Sequence, residues 1–209
     1  MKLNQNQKSK TILAQGAEAV IYLRDNTVTK IRLPKGYRHP TLDLKMRKHQ
    51  LRREVKVLEQ LAPEGFSPKV IGIDEDACAL EMSYIDGEPC ALMLSAQNYQ
   101  QIMSEIGKIV AKVHNKHIIH GDLTTSNMVV SKSKPYLIDF GLSYQSDRVE
   151  DKAVDLHVLR ESMEARHHLF WKKAFAAFIE GYSEVAEHAK DIIHRLKAVE
   201  LRGRYKQKT

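Results

Sequence analysis

The sequence predicts an α+β chain of two lobes, a small β-rich N-terminal lobe followed by a mainly helical C-terminal lobe. Short apolar runs punctuated by turn residues fill the first third, and apolar residues at helical spacing dominate the remainder. Between them, Tyr84-Ile85-Asp86-Gly87-Glu88-Pro89 carries the Gly and Pro of a connector. The 209 residues suit one domain or two small lobes, at about 150 residues per domain. The lobes fall at residues 1–84 and 85–200, with a basic tail over 201–209.

The elements follow in order. Thr11 to Gln15 reads as a short strand ending at Gly16, and Val20 to Leu23 with Thr27 to Leu33 flank the turn pair Asp25-Asn26, a hairpin signal. Lys30 lies inside the second of these strands, on the face of Val28 and Arg32. Pro34 to Asp43, with a proline near each end, reads as a loop. A helix is expected from Leu44 to Leu61, because Leu51, Val55, Leu58 and Leu61 form one stripe. A second hairpin spans Lys69 to Met82. In the C-terminal part, Ile102, Ile106, Ile109, Val110 and Val113 mark a helix over 97–116, and short strands are expected at Met128 to Val130 and Tyr136 to Ile138. Helices follow over 151–163, 167–181 and 184–199, and the tail after them reads as frayed.

Hydrophobic residues make up 43% of the chain and charged residues 28%, which excludes disorder, collagen and coiled coil as whole-chain readings. No apolar run approaches the roughly 18 residues of a membrane span, so no membrane partner is expected. The opening MKLNQNQKSK has no apolar stretch behind its lysines and does not read as a secretory signal. Cys78 and Cys90 form no metal or redox spacing and read as small buried thiols in a reducing compartment. The expected location is cytoplasmic, joined by the nucleus in a eukaryotic source. A net charge of +7 is compatible with an acidic partner without naming one.

The chemistry concentrates between His120 and Gly141. Asp122 and Asn127 are five residues apart, and Asp139 follows twelve later, across a strand, a turn and a strand. A hairpin returns its two ends to one place, so Asn127 and Asp139 should face the same site. One amide oxygen and one carboxylate suit Mg²⁺ on a polyphosphate, which takes few protein ligands and fills its other positions with phosphate and water. Asp122 would then accept the proton of an attacking hydroxyl. Any one of these residues alone is more often an ordinary loop residue. Together, with His120 ahead and Phe140-Gly141 behind, they match the kinase catalytic loop and its metal-binding Asp-Phe-Gly. The fold expectation sharpens accordingly to a reduced, two-lobed, protein-kinase-like fold.

The remaining kinase parts are expected upstream. Lys30 is the candidate to hold the α- and β-phosphates of ATP, and Glu54, beside Val55 on the inward stripe, the carboxylate that orients it; Glu59 is the rival. The turn Gln15-Gly16-Ala17-Glu18-Ala19 would cover the phosphates with backbone N–H groups, although it has one glycine where protein kinases usually show G-x-G-x-x-G. Position 121 is Gly, where many regulated kinases carry an Arg that pairs with an activation-loop phosphate. Only Leu142 to Glu150 separate Asp-Phe-Gly from the next helix, too few residues for a peptide-docking platform. Self-phosphorylation and ATP hydrolysis therefore gain weight. Asp155 is expected to hydrogen-bond back to the catalytic-loop backbone, with Lys152 its solvated neighbour.

The segments QGAEA (15–19), PKGYRHPTLD (34–43), HGDLTTSNM (120–128), IDFGLS (138–143), EDKAVDL (150–156) and LRGR (201–204) resemble the small atypical kinase subunit of the KEOPS (EKC) complex, over nearly the whole chain. PKGYRHPTLD is the most specific of them, whereas HGD-x-x-x-x-N is shared with aminoglycoside and choline kinases. The resemblance implies an autophosphorylating Ser/Thr kinase and partner-stimulated ATPase. It implies assembly with the threonylcarbamoyl transferase subunit and other KEOPS/EKC subunits, which install threonylcarbamoyladenosine on tRNA. Lys30 and Glu54 would hold ATP, Asp122 would be catalytic, and Asn127 with Asp139 would bind Mg²⁺; tRNA would be met through the complex and the basic tail. The family's tail commonly ends in a denser basic run, which Tyr205 interrupts here. A small-molecule kinase is the first alternative, against which the PKGYRHPTLD loop counts. A non-catalytic scaffold that binds nucleotide only to set its shape is the second, and the complete catalytic set argues against it.

Overall fold

The computed structural model describes residues 11–206, with side chains to residue 202. The described chain divides into two compact units, residues 11–63 with 68–84, and residues 64–67 with 85–206.

The first unit is built on a five-stranded antiparallel sheet. Its strands are β1 (Thr11–Gln15), β2 (Ala19–Arg24), β3 (Thr27–Arg32), β4 (Val70–Asp74) and β5 (Ala79–Ser83), in the order β1-β2-β3-β5-β4. Asp25 and Asn26 carry φ of 46° and 65°, both left-handed, which is the backbone twist a two-residue hairpin needs. Along β3 the burial alternates, so Val28, Lys30 and Arg32 share the inner face. The single long helix, α1 (Pro40–Leu61), lies against β4 and β5 through Leu51, Val55, Leu58 and Leu61, the stripe the sequence marks. It begins at Pro40, four residues before the expected Leu44. Proline is well suited to the first helical turn, where its fixed φ is helical and its missing N–H leaves no bond unmade. The segment Pro34–Asp43 is thus loop only as far as His39.

The second unit is mainly helical. It contains β6 (Glu88–Pro89), α2 (Cys90–Met93), α3 (Tyr99–Asn115), β7 (Ile118–Ile119), β8 (Met128–Ser131), β9 (Lys134–Leu137), β10 (Tyr144–Gln145), α4 (Val149–Arg166), α5 (Trp171–Val185) and α6 (Ala189–Lys206). The strands form a three-stranded sheet β6-β8-β9 and a pair β10-β7. α3 and α5 cross in backbone contact. A Cβ on Gly107 would stand 2.2 Å from the Phe178 carbonyl oxygen, and one on Gly181 2.0 Å from that of Ser104, so only glycine fits at either crossing point. The fully buried Met103, Ile106, Phe178 and Tyr182 fill the rest of that seam.

Several helix boundaries differ from expectation: α5 runs on to Val185, and α6 begins at Ala189 rather than at residue 184. α5 starts at Trp171 rather than at His167, because residues 167–170 form a turn in which the amides of Phe170 and Trp171 both bond the His167 carbonyl. α6 continues through residues 201–206, where a frayed tail was expected; residues 207–209 lie outside the described residues. Among the described residues no helix is long and apolar enough to cross a membrane.

Candidate functional site

In the first unit, β3 and α1 bring Lys30 and Glu54 together from 24 residues apart: the Lys30 ammonium donates to Glu54 Oε1 at 2.9 Å. Glu54 is 1% exposed, whereas the rival Glu59 points to solvent. Arg32, two residues along the same face of β3, donates through Nη2 to the other oxygen, Oε2. Arg32 Nη1 is buried with no hydrogen-bond partner among the described residues. Sequence reading marked Arg32 as a face-mate of Lys30 without giving it a role. The period-two spacing was the available signal.

Gln15 is the last residue of β1, paired with Val20, and Gly16-Ala17-Glu18 forms the turn into β2. The Gly16 amide closes this turn onto the Ala19 carbonyl at 3.0 Å, so it is not available to a phosphate. The loop after β3 braces the turn. Lys35 donates its ammonium to the Ala17 carbonyl at 2.7 Å and lies 3.6 Å from the Glu18 carboxylate. Asp43 anchors that loop, accepting from Arg47 Nε at 2.7 Å and the Lys35 amide at 3.2 Å. The Arg47 hydrogen bond outweighs burial and holds the Asp43 carboxyl below the usual range. Asp43 and Arg47 stand at i, i+4, a spacing legible in the sequence.

In the second unit, β8 and β9 pair Met128 with Leu137, and the Ile138 amide bonds the Asn127 carbonyl at 3.0 Å. Asn127 and Asp139 therefore occupy the two ends of one hairpin. Asn127 Nδ2 donates to the Asp122 carbonyl and to Asp122 Oδ2, both at 2.8 Å. That orientation leaves the Asn127 side-chain oxygen as an acceptor, the atom a hard cation requires. Asp139 is exposed with φ of 60°, a conformation uncommon for a residue with a side chain, and its Oδ1 accepts from the Gly141 amide at 3.2 Å. An amide oxygen and a carboxylate presented from one hairpin fit a Mg²⁺ ion that takes its other ligands from phosphate and water.

Behind these residues lies a buried support. Asp155 on α4 accepts from the His120 amide at 2.9 Å and the Gly121 amide at 3.0 Å, the contact expected for it. Its Oδ2 also meets His114 Nε2 at 3.2 Å, and His114 Nδ1 meets the Tyr182 hydroxyl at 2.8 Å. His120 packs against Phe140 with the rings tilted by 41° and their centroids 4.8 Å apart, and its Nε2 donates to the Ile138 carbonyl at 3.1 Å. Burial pushes the His120 pKa down. Gly121 has φ of 81°, and a Cβ there would stand 2.4 Å from the Leu142 carbonyl oxygen. The missing arginine is thus excluded by the local backbone as well as absent from the sequence.

The segment after Asp-Phe-Gly is held close. Tyr144–Gln145 pair with Ile118–Ile119 as β10 and β7, and the Ser146 amide bonds the His117 carbonyl at 2.8 Å. Lys152, expected as a solvated residue, is instead 4% exposed, and burial pulls its pKa down. Glu150, at the start of α4, accepts Arg195 at 3.2 Å and Arg202 at 2.7 Å, so EDKAVDL and LRGR are one connected structure.

A model of the RIO domain matches residues 24–177. The KEOPS complex subunit Bud32 of Pyrococcus abyssi is 35% identical over 95% of this chain and 97% of its own length. A probable serine/threonine-protein kinase BUD32 homolog of Archaeoglobus fulgidus is 37% identical over 91% of this chain and 94% of its own. A probable bifunctional tRNA threonylcarbamoyladenosine biosynthesis protein of Methanosarcina mazei is 33% identical over 93% of this chain, which spans only 35% of that protein's length. Among solved structures, the Rio2 kinase-ADP/Mg²⁺-phosphoaspartate complex from Chaetomium thermophilum superposes with a TM-score of 0.62 over 92% of this chain and 70% of that one. At 17% identity this is a likeness of fold alone.

Proposed function

The chain belongs to the RIO-domain family, in its Bud32 branch, and from that premise we propose that it is an ATP- and Mg²⁺-dependent serine/threonine kinase and ATPase. We further propose that it serves a KEOPS-type assembly making threonylcarbamoyladenosine in tRNA, with the threonylcarbamoyl transferase subunit as its direct partner. The observation that carries the reading is the disposition of Asn127. Its amide nitrogen is committed to Asp122, and its oxygen is left at the hairpin end opposite Asp139.

Lys30 would hold the α- and β-phosphates, oriented by Glu54, and the turn Gln15-Gly16-Ala17-Glu18 would cover them through amides other than that of Gly16. Bound to Asn127 and Asp139, Mg²⁺ would neutralise charge developing on the phosphoryl oxygens. Asp122, steadied by Asn127, would orient the attacking hydroxyl and take its proton, whether the acceptor is a Ser/Thr side chain or water. The short, strand-paired segment after Asp-Phe-Gly offers little platform for a peptide, which favours self-phosphorylation and hydrolysis over broad protein substrates. The deciding experiment measures ATP hydrolysis and autophosphorylation of the purified chain, alone and with transferase partner and tRNA. The expected result is slow basal turnover that the partner stimulates. Nucleotide binding with no turnover under any condition would instead support a scaffold.

A further inference from the structure

Lys30, Arg32 and Glu54 are 6%, 5% and 1% exposed, and two cations share one carboxylate. The trio is a buried ionic cluster, in which losing one partner leaves the others poorly compensated. Lys30 and Arg32 hold opposite oxygens of Glu54, so Glu54 has an anchor that does not depend on Lys30. Arg32 is itself fixed by its main chain, with its amide on the Cys78 carbonyl at 3.1 Å and its carbonyl accepting from Arg47 Nη1 at 3.4 Å.

We propose that Arg32 is a positioning residue for nucleotide binding: it clamps Glu54 so that the carboxylate stays in place while the Lys30 ammonium turns towards phosphate. The inference rests on the kinase reading above. A Lys–Glu pair without this clamp must let the carboxylate follow the lysine or lose the contact. Held by a guanidinium at Oε2, Glu54 keeps presenting Oε1, and Lys30 is limited to orientations that satisfy both carboxylate and phosphate. Arg32 acts through Glu54 and Lys30 and does not itself touch the nucleotide.

The test uses the full chain and a fluorescent ADP analogue, with ATPase kinetics and thermal melting alongside. Arg32→Met should weaken analogue binding and raise KM for ATP by about tenfold, the loss of one charge-assisted contact, with kcat changed far less. Arg32→Lys should recover most of the affinity. In a Lys30→Met background Arg32→Met should cost no further affinity. Lowered melting with unchanged KM would make Arg32 merely structural, and an equal loss of affinity without Lys30 would make it a ligand contact; either overturns the proposal. If Arg32→Met does not fold, Arg32→Gln is read in its place against the same outcomes. A wild-type chain that binds no nucleotide overturns the kinase reading and this inference with it, whereas tight wild-type binding matched by Arg32→Met overturns this inference alone.

Discussion

Asn127 donates both its side-chain hydrogen bonds to Asp122, at 2.8 Å to the main-chain oxygen and 2.8 Å to Oδ2. The pair therefore behaves as one unit in which the amide fixes the carboxylate's direction. Asp122 is half-exposed, its carboxylate bonds the half-exposed Asn127, and its amide bond to His120 Nδ1 does not need the side chain, so truncating the side chain should spare the fold. Replacing it with Ala should lower ATP turnover by about 10²–10⁴-fold, the usual worth of a positioned base, while the melting temperature stays near wild type. Retained turnover in Asp122→Ala, measured by phosphate release, would reject the assignment.

Gly121 gives a prediction about regulation. A kinase of the switched type carries Arg at this position, and the variant Gly121→Arg would seem to restore it. The left-handed φ of 81° and the Leu142 carbonyl 2.4 Å from a would-be Cβ oppose any side chain there. Gly121→Ala should already destabilise the protein by about 1–3 kcal/mol, the scale of a residue forced into such a conformation. Gly121→Arg should be less stable still and should not become phosphorylation-activated. A melting temperature equal to wild type in Gly121→Ala would show that this loop has another conformation available.

Much of the fold was legible because its signals are periodic. The stripe of Leu51, Val55, Leu58 and Leu61 faces inward, and β3 places Val28, Lys30 and Arg32 on one face. Elements of two residues carry no period, which is why β6, β7 and β10 were not foreseen. At the site, the spacing of Asp122, Asn127 and Asp139 was visible because a hairpin is a local device. The choice of Glu54 over Glu59 was visible from its place beside the stripe. The sharing of Glu54 with Arg32, the Lys35 brace and the burial of Lys152 were not, since each depends on which groups pack around a charge rather than on sequence spacing.

Asp155 gives a pH dependence of stability. Burial alone would raise its pKa, but the hydrogen bond from His114, the charges of His114 and His120 and the His120 amide together prevail and hold it below 3.8. A carboxyl depressed in the folded state stabilises fully above its unfolded value, and that contribution is lost as pH falls through the folded one. Asp155→Asn would turn an amide N–H towards backbone donors and should cost on the order of 3 kcal/mol near neutral pH. Melting temperatures of the two proteins should therefore differ most at pH 6–7 and converge below about pH 4. His120 adds a second acid penalty in both proteins: burial lowers its pKa from 6.5, so the unfolded chain takes up a proton first as pH falls below that value. A gap that stayed constant down to pH 3.5 would mean that the Asp155 charge is not what the network uses.

The C-terminal segment separates two kinds of contribution. Six basic residues lie between Arg195 and Lys208, and of these Arg195 and Arg202 are engaged by Glu150 within α4. Deleting Leu201–Thr209 removes the Arg202 contact and the basic charge beyond it together, so the deletion alone is ambiguous. Glu150→Gln breaks the internal contact and leaves every tail cation present. Both variants should keep nucleotide binding, because none of the residues proposed to hold nucleotide is altered. The deletion should weaken tRNA modification in the reconstituted complex, and Glu150→Gln should leave it near wild type if free charge is what tRNA meets. In that case affinity for tRNA should fall with salt at a log–log slope of roughly −0.7 to −0.9 per phosphate neutralised, and the slope should be shallower for the deletion. Equal tRNA affinity and equal modification in the deletion would show that the tail's charge contributes nothing to the complex.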